Sequence, residues 1–219
     1  MRKLIGCLLL AASQLTWAGA QIHEPLSASV RAIMQKTVSD KASPRLAFGS
    51  EAEANAWLGD MSRRLADHIP NAKIRMDFLK TVHYESVRAG LDPQLVLGLI
   101  QVESRFRKYA VSKVGARGYM QVMPFWVKEI GNKEQNLFHL KTNLRYGCTI
   151  LRYYLGEEHG DLYRALGRYN GTLGQSKYPN KVVRAWITSW KYPVRGRQFS
   201  SLNHGELPNQ AGVLPIRDL

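Results

Sequence analysis

The segment Asp92–Ser104, DPQLVLGLIQVES, constrains this chain more than any other. Leu95, Val96, Leu97, Leu99, Ile100 and Val102 leave a helix almost no polar face, so other elements have to wrap it. Asp92 is placed to cap the helix, and Pro93 suits the first helical position, where a missing N–H costs nothing. Val96, Leu99, Ile100 and Glu103 fall on one stripe, at i, i+3, i+4 and i+7. A carboxyl therefore sits on the apolar side of a core helix, near its C-terminal end. Burial favours the protonated form, and the partial negative charge of a helix C-terminus acts the same way. Both effects are expected to raise the pKa of Glu103, the condition a general acid requires. Spacing alone equally allows Glu103 to reach solvent or to pair with Arg105 or Arg107.

The residues that follow add chemistry to this frame. After Glu103-Ser104 come Ser112, Gly115-Ala116, Gly118, then Tyr119-Met120-Gln121 and Met123-Pro124. Later the chain carries Tyr169-Asn170-Gly171. In this order the motifs resemble the lytic transglycosylase family, the soluble enzymes related to goose-type lysozyme. That family has Glu-Ser, a Ser and Gly-Ala-x-Gly loop, Leu-Met-Gln, Met-Pro, and an aromatic Tyr-Asn. Tyr119 stands where the family carries Leu. The resemblance spans roughly Met76 to Trp190.

The resemblance implies an all-α, lysozyme-like helical domain that cleaves peptidoglycan glycan strands between N-acetylmuramic acid and N-acetylglucosamine. Glu103 would be the catalytic acid and then the base, yielding a 1,6-anhydro product. Ser112, Gln121, Met123, Tyr169 and Asn170 would bind substrate, with Tyr169 able to bond to Glu103. For Gln121 the alternative is satisfaction of backbone groups, and for Tyr169 simple packing. No cofactor is implied. No metal is implied either, and the six His form no H-E-x-x-H pattern. A hydrolytic muramidase and a non-catalytic wall-binding module are the competing readings.

Export bears on the choice of partner. Residues 1–20 read as a signal peptide: Arg2 and Lys3, an apolar run from Leu4 to Ala12, and an Ala18-Gly19-Ala20 cleavage site. No apolar run is long enough to span a membrane. The formal net charge of +14 favours anionic partners. An exported chain points that charge at cell-wall polymer rather than nucleic acid. Of the two Cys, Cys7 leaves with the signal, so Cys148 is expected to be a buried packing residue without a disulfide partner.

Periodicity then divides the chain. Residues 21–70 are expected to form a partly helical N-terminal extension, with helices over Ala28–Lys36 and from the Ser50 cap toward Ile69. Residues 71–190 are expected to form the catalytic domain. Its helices are read over Ile74–Ala89, the Asp92 segment, Pro124–Gly131, Asn143–Glu158, Leu162–Arg168 and about Asn180–Trp190. Ile74 is placed on an inner face, Tyr84 and Glu85 on a helix surface, and Tyr169-Asn170-Gly171 in a loop. Residues 191–219, broken by Pro and Gly, read as a mobile tail.

Overall fold

The computed structural model describes residues 21–39 and 46–193. The expected signal peptide, and the expected tail from residue 194 onward, lie outside the described residues. Among the described residues eight α-helices follow in order: α1 (Ala28–Ser39), α2 (Glu51–Arg64), α3 (Ala72–Arg88), α4 (Pro93–Ser104), α5 (Phe125–Ile130), α6 (Leu140–Glu157), α7 (Leu162–Asn170) and α8 (Lys177–Ala185). A π-helical turn, Trp186–Trp190, continues α8. Among the described residues there is no strand, only isolated bridges joining Val111, Arg117 and Val122. The mainly helical class expected from the sequence is the observed one.

Helix α4 is the axle. Asp92 caps it as its composition predicts, accepting from Gln94 N at 2.6 Å and Leu95 N at 3.4 Å. Leu95, Val96, Leu97, Leu99 and Ile100 are all buried. Each such side chain contributes about 1.5–3 kcal/mol by leaving water. Helices α3 and α8 and the π turn pack around α4. Gly98 makes the α8 approach possible: a Cβ there would stand 2.8 Å from Trp186 N. Trp190 then donates its indole N–H to Gln101 Oε1 at 2.6 Å, and Arg64 at the end of α2 donates to the carbonyls of Ser189 and Lys191.

Residues 21–39 join the same core. Leu26, Met34 and Val38 belong to one hydrophobic cluster with residues of α2 through α8, and α1 packs on α5 and α6. His23 and Arg31 both reach Glu129 on α5, at 3.0 and 3.2 Å.

Three local expectations change. Ile74 is exposed, because the first turn of α3 (Ala72, Lys73, Ile74) projects past the core that takes Phe78, Leu79 and Val82. Glu85 is no surface group: it is fully buried and receives Arg145 Nη2 at 2.8 Å and Arg88 Nε at 3.0 Å. Tyr169 and Asn170 complete the last turn of α7, and only Gly171 lies beyond it, in the left-handed conformation (φ 73°) that glycine adopts without strain. Cys148 is buried and unbridged, and burial pushes its thiol up, away from a reactive thiolate.

Candidate active site

Glu103 occupies the last full turn of α4 and is 6% exposed. Arg105 takes the left-handed cap position (φ 51°) and stands exposed, while exposed Arg107 donates its Nε to Ser104 O at 3.0 Å. Neither arginine neutralises the carboxyl. Its partner is instead a phenol: Tyr178 in the first turn of α8 donates its hydroxyl to Glu103 Oε1. Oε2 is buried and makes no hydrogen bond. Burial pushes the Glu103 pKa up to about 8, and the Tyr178 hydrogen bond pulls against that rise. Tyr178 itself is held well above the ordinary phenol range, first by burial and then by the nearby carboxylate, so it stays a donor.

Tyr178 is the functional contact that sequence reading missed. With the last helix begun at about Asn180, Tyr178 falls in a loop. The signal was Pro179, since proline belongs in a first helical turn and places the helix start before it. We expect Tyr178→Phe to move the titration of Glu103 further up from about 8, because the one group lowering it is removed. Carboxyl-carbon NMR of Glu103 in the two proteins measures this.

The loop after α4 is built by backbone hydrogen bonds and by buried amides. Arg117 and Val122 exchange backbone bonds at 3.0 Å in both directions. Gly115 (φ 88°) and Gly118 (φ 77°) adopt left-handed conformations, and a Cβ on Gly118 would stand 2.4 Å from Asn143 Nδ2. Asn143, read from sequence only as a helix start, is the hub of the loop. It accepts from Met120 N and donates to the carbonyls of Arg117 and Leu137, each at 2.8 Å. Tyr119 turns into the core against Phe78, with ring centroids 4.9 Å apart.

The residues expected to bind substrate take different places. Gln121, at φ 48° and buried, donates Nε2 to the carbonyls of Ala110 and Gly118 at 3.1 and 2.9 Å. Its nitrogen thus satisfies the backbone, the alternative weighed for it. Tyr169 is buried and donates to Met120 O at 2.8 Å rather than to Glu103, although the Glu103 charge is one of the influences raising its pKa. Ser112 closes its own turn, its Oγ accepting from Ala116 N at 3.1 Å. Met123 is half-buried at the edge of the core, and Asn170 is buried and accepts from the Thr172 hydroxyl at 3.2 Å. Glu103, Tyr178 and Tyr169 therefore form one buried group, and Gln121 and Met123 belong to the loop that Tyr169 fastens. Ser112 bonds within its own loop, and Asn170, in the last turn of α7, accepts from Thr172 just beyond it.

The family model of the transglycosylase SLT domain matches residues 80–186, which include Glu103, the loop and Tyr178. A transglycosylase of Enterobacteria phage PRD1 is 34% identical over 116 residues, half of this chain and 43% of the phage protein. Membrane-bound lytic murein transglycosylase C of Mannheimia succiniciproducens is 43% identical over 60 residues, 27% of this chain and 16% of that protein. The chain thus spans less than half the length of these relatives. A solved structure of the lytic transglycosylase Slt of Pseudomonas aeruginosa, an inactive mutant, aligns with a TM-score of 0.41 and 26% identity, covering 64% of this chain and 24% of that one.

Proposed function

Because the chain belongs, through residues 80–186, to the transglycosylase SLT family, we propose that it is a peptidoglycan lytic transglycosylase acting on the bond between N-acetylmuramic acid and N-acetylglucosamine. The carrying observation is a single buried carboxyl, with a pKa near 8, held by a neutral phenol. Glu103 gives its proton to the glycosidic oxygen as that bond to the muramyl C1 breaks. The N-acetyl group of the same sugar stabilises the electron-poor carbon. Glu103, now a carboxylate, takes the proton of the muramyl 6-hydroxyl, and that oxygen closes onto C1. The carboxyl ends the cycle protonated, and no water is consumed. One group working as acid and then base needs a pKa near the working pH.

The whereabouts of other carboxylates support a one-carboxyl route. Glycosidases that recruit a second carboxylate keep it within ~10 Å of the first. Asp92 caps the opposite end of α4, roughly 16 Å away along the axis. Glu85 is taken by Arg145 and Arg88, and Glu129 by His23 and Arg31, which hold its carboxyl below the ordinary range.

Substrate recognition is assigned to Ser112, Gln121, Met123, Tyr169 and Asn170. Gln121 contributes Oε1, since its nitrogen is committed to backbone, and Met123 offers an apolar contact to a sugar face. Residues 71–190 form the catalytic unit in this proposal, with 21–70 as an extension to it. The site of action is the cell wall, reached by export. No helix among the described residues is long and apolar enough to cross a membrane. Hydrolysis by a lysozyme-type route is the competing reading. Mass spectrometry of muropeptides released by the purified protein separates the two: we expect ends lighter by one water than those a hydrolase leaves.

A further inference from the structure

The site is closed as it stands. Glu103, Tyr169 and Gln121 are all buried, and so is Gln21, which reaches them from the far end of the chain. The Gln21 amide lies against the motif loop in a paired arrangement: Nε2 donates to Gln121 O at 3.2 Å, and Oε1 accepts from Met123 N at 3.1 Å. The same side chain acts to lower the pKa of Tyr169, which burial and the Glu103 charge raise. The loop thus presents one carbonyl and one N–H, spaced to grip a single amide. An acetamido group on a sugar carries that same complement, one N–H and one C=O.

We propose that Gln21 is a built-in stand-in for a substrate acetamido group. It occupies an amide-binding pair on the Gln121–Met123 backbone, and an N-acetylhexosamine of the glycan strand displaces it. This rests on the proposed function. Exchange of one amide for another leaves the count of hydrogen bonds unchanged, so its net cost is small. Beyond that amide, the segment around Gln21 is lightly held. His23 and Glu24, each about half exposed, meet Glu129 and Arg168 at 3.0 Å. Solvent at the exposed partner screens pairs of this kind, so they hold the segment only weakly. Leu26, buried, and α1 keep the segment tethered after it lifts.

A self-occupied site lowers apparent affinity by the fraction of molecules in which it is open. Gln21→Ala is therefore expected to lower KM for glycan strands by about 3- to 10-fold, with kcat little changed. Tri-N-acetylchitotriose is expected to shift the Met123 backbone amide in 15N NMR spectra, and to bind the variant more tightly than the parent by the same factor. Gln21→Glu keeps the acceptor for Met123 N but cannot donate to Gln121 O when ionised. It leaves the segment half latched, gives an intermediate KM, and serves if the Ala variant does not fold. A raised KM, or a fall in kcat at unchanged KM, overturns the proposal and makes Gln21 a brace for the loop. A Met123 amide unmoved by chitotriose, in a protein that still releases anhydro muropeptides, overturns the inference and leaves the function standing. Chitotriose binding at Met123 without any muropeptide release would uphold the amide pair and overturn the function.

Discussion

Replacing Glu103 with Gln is expected to cut turnover of glycan strands by about 1,000-fold or more while leaving the fold intact. The amide keeps the shape of the carboxyl and can still accept from Tyr178, but it has no proton to give and cannot take one. Near-parental lysis by this variant would end the assignment. Stability is expected to move the opposite way. In the unfolded chain the carboxyl releases its proton near the ordinary value of 4.5, whereas in the folded protein it holds it to about 8. Between these values the unfolded state binds fewer protons, so stability is fully present below about 4.5 and is lost as pH rises through about 8. The whole loss is on the order of 5 kcal/mol. Gln carries no such dependence. Urea midpoints at pH 4 and pH 8 should therefore diverge, the variant gaining on the parent at the higher pH. Activity of the parent should fall as pH rises through about 8, because the acid step needs the protonated form.

What the sequence made legible was local. Asp92 and Pro93 announced the start of α4, its aliphatic run announced burial, and the stripe through Val96 and Ile100 put Glu103 on the buried side. Gly115 and Gly118 sit where left-handed backbone is required, and the motif order placed the loop beside the carboxyl. Partnerships across the chain were not legible. Tyr178 is 75 positions from Glu103, and Gln21 is 100 from Gln121. Periodicity reports which face of an element is apolar and carries no record of what packs on it. The same blindness misread Glu85, since a glutamate on a mixed helix looks like a solvent group until its arginine is known. Asn143 was hidden for another reason: at a helix start an asparagine is ordinary, and its two bonds to the loop, with Met120 N and Arg117 O, exist only once α6 is docked.

The buried ion pair carries the second large effect. Glu85 is fully buried on α3, and Arg145, 4% exposed on α6, meets it through Nε and Nη2. Removing the carboxylate strands a guanidinium in the core, a loss of about 3–5 kcal/mol. Glu85→Ala should lower the urea midpoint accordingly, with the same change in the slope-corrected stability. A shift under about 1 kcal/mol would mean that Arg145 reaches water or another acceptor. The damage should also reach the chemistry. Arg145 lies between Asn143, which holds Met120 N, and Gly147, where a Cβ would stand 2.4 Å from Met120 Sδ. Helix α6 therefore bears directly on the loop that Tyr169 fastens, and α3 holds α6 through this pair. A double replacement, Glu85→Leu with Arg145→Leu, removes both charges together. It should recover most of the stability that Glu85→Ala loses, since burying apolar groups avoids the desolvation penalty of the pair. Recovery of stability without recovery of turnover would show that the arginine fork, and not packing alone, sets the position of α6 beneath the loop.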